Sequence, residues 1–318
     1  MSTYNPTIKE VRAENGAVLS FKRVSKDEQQ ADLILRPAST YFRESMYSFV
    51  RNPLGMFGVA VIVLMVLIAV FGPALLPFAY DQQNLSNTFR KPNSEHWMGT
   101  DNLGRDMTVR IVYGARISLT VGFTAAFISI SIGVFYGAIS GFFGGRADMW
   151  MMRIVEIFSS IPNLLYIILL AQVFPNGGML NIIMVIGLTG WMGTARLVRG
   201  EVLSLKTREF VLAARVSCVS SFKLLTRHLI PNAMSPIVVS LTLNVASAIF
   251  TEAALRFLGI ASFPQPSWGL LSSDGIKAMR SQPHLIIFPA IFISVTILAF
   301  NLLSDAIQRA FDPKKRTK

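Results

Sequence analysis

Residues 209–232 read EFVLAARVSCVSSFKLLTRHLIPN and stand between two apolar stretches, roughly 179–198 and 233–255, each long enough to cross a bilayer. A plain connection between spans needs no helical pattern, yet this one carries it twice. Phe210, Ala213, Ala214 and Val216 form an apolar stripe at helical spacing, and the run Val216-Ser217-Cys218-Val219-Ser220-Ser221 then interrupts it. Ser220 or Ser221 can cap a second helix, about 221–229, with Phe222, Leu224, Leu225 and Leu229 on its apolar sides; Pro231 ends it. One reading is a helix-break-helix loop that presents side chains to a partner. The other is a solvated connection with incidental helical pattern.

The surrounding chain decides that this loop lies at a membrane surface. Of 318 residues, 52% are hydrophobic and 15% charged, and the mean hydropathy is +0.49. Soluble domains carry roughly 25% charged residues. Spans are expected at roughly 54–79, 117–143, 154–174, 179–198, 233–255 and 285–307. Pro73 and Pro77 kink or end the first, and Pro162 lies inside the third. The second is rich in small residues, and Gly133-xxx-Gly137-xxx-Gly141 permits close helix approach in lipid. With the N-terminus inside, the inner segments 1–53, 144–153, 196–233 and 308–318 hold 22 of the 30 Lys and Arg residues. That asymmetry predicts cytoplasmic termini and a cytoplasmic 196–233 loop.

The net charge of +12 follows from this arrangement. The basic residues cluster beside spans with no aromatic interleaving, so no nucleic-acid surface is expected. A single cysteine, Cys218, excludes an internal disulfide. Residues 1–38 read as a polar arm without a signal peptide. Over 39–53, Tyr41, Phe42, Met46, Phe49 and Val50 recur at helical spacing opposite Arg43 and Arg51, the pattern of a helix in the headgroup plane. Residues 54–307 then form the membrane domain and 308–318 a basic tail.

Two further stretches carry more than hydropathy. In HWMGTDNLGRDMTVRIVYGARISL (96–119), Asn102-Leu103-Gly104 reads as a tight turn, and Asp106 as the cap of a helix containing Met107, Ile111 and Val112. Asp101 and Asp106 raise calcium, but the alternating acids and terminal Glu of an EF-hand loop are missing; a structural lid is the other reading. In TEAALRFLGIASFPQPSWGLLSSDG (251–275), Glu252 is the only acid of the fifth span. It reads either as a pathway group, a proton relay or substrate-amine contact, or as a structural partner of a neighbouring helix. Trp268 is expected in an interfacial aromatic belt.

Together these stretches resemble the permease subunits of ABC importers. The 209–232 segment is similar to their cytoplasmic coupling loop, a Glu-Ala-Ala-xxx-Gly pattern followed by a Pro. Ala213 and Ala214 stand at the alanine pair, and Arg215, Ser220, Arg227, His228, Pro231 and Asn232 match the peptide-permease version. Two positions depart: Leu212 replaces the Glu and Cys218 the Gly. Glycine at such a break enters positive φ freely; cysteine there either costs about 1 kcal/mol or takes a different turn. Gly99, Thr100, Asp101, Gly104, Arg105 and Asp106, followed by Gly114, Arg116, Ser118 and Leu119, resemble the external loop (about 80–116) of the C-type subunit of oligopeptide and dipeptide importers. Glu252, Leu255, Phe257, Leu258, Gly259 and Pro266-Ser267-Trp268-Gly269 are similar to a third segment of that subunit.

The resemblance implies an all-α integral membrane protein of six transmembrane helices with a coupling loop at about 200–232, the type I ABC importer permease fold. It implies one of two membrane subunits in the bacterial cytoplasmic membrane, paired with a homologous permease and two cytoplasmic ATPases and fed by an external solute-binding protein. ATP and Mg would lie on the ATPases, and this chain would bind no cofactor. Phe222 and Leu225 would insert in an ATPase groove, rimmed by Lys223 and Arg227. The cargo implied is a peptide, with nickel or another small solute as the alternative. Rival classes find little in the sequence. No HExxH, GxSxG or Cys/His metal cluster suggests a membrane enzyme. Neither internal repeats nor ion-coupling acids in broken spans suggest a secondary transporter.

Overall fold

The computed structural model describes residues 8–12, 18–22, 41–173, 178–260 and 263–311. It divides into two units, Met1–Glu44 and Ser45–Lys318. The first holds a short antiparallel hairpin: β1 (Ile8–Arg12) pairs with β2 (Val18–Lys22), with Ile8 opposite Lys22 and Arg12 opposite Val18. The hairpin is a small addition to the helical fold expected from the sequence. Both strands are five residues long, invisible to a search for membrane-length windows, although Ile8, Val11, Val18 and Phe21 suit extended backbone. Next comes helix α1 (Tyr41–Val50); Ser45 is buried, Met46, Tyr47 and Val50 are exposed, and the Arg51 guanidinium lies 4.2 Å over the Tyr47 ring.

The second unit is helical among its described residues. α2 (Pro53–Leu75) begins with Pro53, which has no N–H to leave unpaired, and the Asn52 side chain accepts from Gly55 N. It passes through Pro73 and stops before Pro77. α3 (Met107–Phe143) runs 37 residues, because the short helix expected after Asp106 and the span expected from 117 are one element. α6 (Gly178–Leu205), α9 (Met234–Phe257) and α11 (His284–Phe311) are also long and apolar enough to span a membrane. Between α9 and α11 lies the short α10 (Trp268–Lys277).

The third expected span is broken. α4 (Gly145–Ser160) and α5 (Asn163–Val173) meet at an 86° bend. Pro162 supplies the cause: it denies a helical N–H and forces Ile161 into extended backbone, φ −82° and ψ 129°. Among the described residues five single helices are long and apolar enough to span a membrane, six if the bent pair is counted as one span.

α3 and α6 pack backbone to backbone along the glycine stripe. A Cβ at Gly133 would lie 2.6 Å from Thr194 Cβ, one at Gly137 would strike the Ala195 carbonyl, and one at Gly141 would lie 2.8 Å from the Arg199 carbonyl. Trp268 does not join an aromatic belt. It is fully buried, its Nε1 donates to the Ile111 carbonyl at 3.0 Å, and its ring fills the space beside Gly114. Ser267, capping α10 through Leu270 N, starts the helix in a position that turns the indole inward. Residues 76–106 meet α10 and the start of α11 at one end of the bundle, while the connection after α6 lies at the other.

Candidate functional site

The connection after α6 folds as two short helices. Lys206 Nζ donates to the Gly141 and Phe142 carbonyls (3.2 and 2.6 Å), satisfying acceptors left free at the end of α3. α7 (Glu209–Val216) follows. It buries Val211 and half-buries Ala214; Phe210, Leu212, Ala213, Arg215 and Val216 are exposed. The packed face is thus not the Phe210–Val216 stripe expected from the spacing, since Val211 is the residue that reaches the core.

The break is a Schellman turn. Cys218 N donates to the Arg215 carbonyl (3.0 Å) and Val219 N to the Ala214 carbonyl (3.2 Å), with Cys218 at φ +54°. Cysteine therefore occupies the left-handed position that suits glycine, and of the two options read from the sequence the chain takes the strained one. Ser220 stands at the next N-cap, but its side chain makes no capping bond. The helical run 221–232, here α8, is α-helical over Ser221–Lys223, π-helical over Leu224–Leu229 and α-helical over Ile230–Asn232. The turn widens just before Pro231, whose ring would otherwise clash with the Arg227 carbonyl. Pro231 does not end the helix, which runs through Asn232; the Asn232 amide donates to the His228 carbonyl at 2.5 Å.

This geometry corrects one expected contact. Leu225 is buried with Leu224, Leu229, Val198, Val202 and Val211 inside the chain, so it is not presented to a partner. Phe222 is 77% exposed and is flanked by exposed Lys223 and Arg227. One apolar anchor is offered, not two.

The opposite loop gathers all six of its singled-out residues. Asp101 is its centre: Oδ1 accepts from Leu103 N and Arg105 N (2.9 Å each), and Oδ2 from Arg105 Nε (2.7 Å) and from Arg110. Thr100 Oγ accepts from Arg90 N at 2.9 Å and donates to the Asn87 carbonyl. Asp106 caps α3 through Val109 N (2.9 Å), and its second oxygen lies 2.7 Å from His96 Nδ1. Gly104, at φ +69°, leaves no room for a Cβ beside the Asn84 carbonyl; Gly99, at φ +78°, is hemmed in by the Arg90 carbonyl and His284. Donors from the loop itself engage both carboxylates. Arg110, which sequence reading overlooks, is 3% exposed and extends the network to Asp274 of α10 at 3.5 Å. The available signal is an arginine set between Val109 and Ile111, one of two on α3.

Glu252 has no exposed surface and accepts from Ser118 Oγ at 2.8 Å. One turn on, Arg256 is also buried; it donates to Ser267 Oγ and to the Phe263 and Gln265 carbonyls (3.2, 3.0 and 2.6 Å) and lies 3.7 Å over the Phe263 ring. The acid thus joins α9 to α3 inside the packing and does not face an open pathway in this conformation.

Residues 129–317 match the family described as binding-protein-dependent transport system inner membrane component, over more than half of the chain. The chain belongs to that family. Residues 40–92 of this family member also match the N-terminal TM domain of oligopeptide transport permease C. It is 43% identical over 297 residues to the oligopeptide transport system permease protein OppC of Bacillus subtilis, covering 93% of this chain and 97% of that one. It is 43% identical over 290 residues to the dipeptide transport system permease protein DppC of the same organism, covering 91% and 90%. To OppC of Escherichia coli K12 the identity is 38% over 302 residues, covering 94% and 100%. The solved MetNI methionine ABC transporter, in an inward-facing conformation, contains a chain of the same fold: TM-score 0.53 at 17% identity, covering 65% of this permease and 98% of that chain.

Proposed function

We propose that this permease is one of the two membrane subunits of an ATP-driven peptide importer, and that the 206–232 loop receives the stroke of a cytoplasmic ATPase. The observation that carries the coupling role is the pairing of opposite burials in α8. Leu224, Leu225 and Leu229 anchor the loop to α6, while Phe222 stands free at its tip. An exposed aromatic ringed by Lys223 and Arg227 suits a groove on a partner. Peptide as cargo is supported by near-full-length similarity to permeases named for oligopeptide and dipeptide transport.

In this reading a homologous permease completes the pathway, two ATPases hold ATP and Mg, and a solute-binding protein docks on the 76–106 side. ATP hydrolysis belongs to the partners, and this chain conducts and couples. Closure of the ATPases biases a two-state membrane domain between inward-open and outward-open forms. The concentration of 22 of 30 Lys and Arg residues in 1–53, 144–153, 196–233 and 308–318 supports a cytoplasmic position for that loop and both termini, in the cytoplasmic membrane of a bacterium.

Reconstitution of the four-subunit complex in proteoliposomes tests the function. Uptake of a labelled peptide is expected only with ATP and binding protein together, and the permease alone should hydrolyse no ATP. Peptide uptake without ATP would refute the reading. For sidedness, single cysteines at Ser86 and Ser204, in a background without Cys218, are expected to react with an impermeant reagent from opposite faces.

A further inference from the structure

The inner half of the broken span is tied to the helix that enters the coupling loop, and nothing in the function so far uses that tie. Asp148, in the first turn of α4, accepts from Arg199 Nε and Nη2 at 2.5 and 2.6 Å, and from Ser140 Oγ at 2.6 Å. The carboxylate is nearly buried and the arginine fork is bidentate, a geometry with little angular freedom. Near the bend a second tie forms: Arg196 Nη2 donates to Ser159 Oγ at 2.7 Å. Tyr136 OH of α3 donates to the Met151 carbonyl between them at 2.9 Å. All these contacts of α4 run to α3 or α6, and α6 passes into α7 through only three residues, 206–208.

We infer that Asp148 and Arg199 are positioning residues that make α4 travel with α6, so that displacement of the coupling loop is carried into the inner half of the broken span. This rests on the coupling role proposed above. α4 has little else to hold it: Met149, Trp150, Ile154, Ile157 and Phe158 are exposed, and Val155 is its only buried apolar residue among those described. Without the ion pair the broken span keeps the weaker Ser159 and Tyr136 ties and loses the one rigid connection at its root. Beyond the bend, α5 packs through Ile167 against Ile182 and Ile183 near the start of α6, and its Tyr166 ring lies 5.9 Å from the Phe158 ring of α4. Both halves of the broken span thus lie on α6, and the ion pair decides whether the α4 half follows it.

The test is made in the complete transporter with spin-label pairs, in a background with Cys218 replaced by serine. One pair joins Val216 in the loop to Leu85, and the other joins Ile157 of α4 to Leu85; all three positions are exposed. In the unaltered pair background, trapping ATP should change both distances. In Asp148→Asn/Arg199→Gln, the Val216 distance should still change, the Ile157 distance should not, and peptide uptake should fall about tenfold. Exchange of the charges, Asp148→Arg with Arg199→Asp, should recover part of both. Should the neutral pair fail to assemble, Arg199→Lys carries the same test, since it keeps the charge and loses the fork. An Ile157 distance that changes as before in the uncoupled variants overturns the inference while leaving the importer reading intact. Failure of the unaltered complex to import peptide with ATP overturns the importer reading itself.

Discussion

The two ends of this molecule are held by opposite means. At the 76–106 end, Asp101 takes four donors from its own loop and from Arg110, and Arg110 reaches on to α10. At the 206–232 end, a cysteine sits in left-handed backbone, a serine cap is unmade, and a helical turn is π-widened. A saturated polar network has one arrangement of lowest energy and resists change. A segment built from compromises lies closer in energy to its alternatives, which suits an element that must move. Rigid and yielding ends on one chain are what an importer needs if substrate delivery and energy input occur on opposite faces.

The largest test of this contrast is at Asp101. Asp101→Ala leaves Arg110 buried without its main partner, and stability should fall by about 3–5 kcal/mol, read by denaturant unfolding in mixed micelles. A loss under 1 kcal/mol would mean the network is not what locks this end. At the other end, two truncations to alanine should separate. Leu225→Ala removes a buried side chain and should cost about 2–5 kcal/mol of stability. Phe222→Ala should leave stability within about 0.5 kcal/mol yet weaken ATPase docking by about 2 kcal/mol, lowering peptide uptake and ATPase stimulation together. Equal effects of the two on docking would sink the assignment of Phe222 as the single anchor. The smallest effect is at Cys218: Cys218→Gly should stabilise by up to about 1 kcal/mol, the left-handed strain less the added chain entropy of glycine. A destabilised Cys218→Gly would show that the thiol makes a contact worth more than its strain.

Much of this could be read before any coordinates. Apolar windows locate the spans, the spacing at Gly133, Gly137 and Gly141 anticipates a close helix contact whose partner, α6, only the fold shows, and Asp106 is legible as a cap. What escaped has physical causes. Hydropathy cannot tell a tryptophan facing lipid from one facing protein, so it assigns Trp268 to the interface although the residue belongs to the core. A period of 3.6 puts Phe222 and Leu229 about 20° apart on one face; the widened turn between them exposes one and buries the other. Arg110 and Arg199 each stand among apolar neighbours, and only the fold shows that their partners are Asp101 and Asp148.

The glycine contact of α3 and α6 has a mechanical consequence. Side chains seat on glycine across the seam in both directions, Thr194 and Val202 of α6 at Gly133 and Gly141, Ile128 and Ser129 of α3 at Gly187 and Gly190, and so fix its register along the axis. Polar bonds pin its margins as well, Ser129 Oγ on the Gly187 carbonyl and Lys206 Nζ on the carbonyls of Gly141 and Phe142. Two rods pinned at both margins and in contact between them cannot shear past one another, so they bend as one beam of greater stiffness than either alone. A load applied to the loop at the end of α6 then arrives at the far end as tilt of the pair, with little of it spent in flexing the helix that received it.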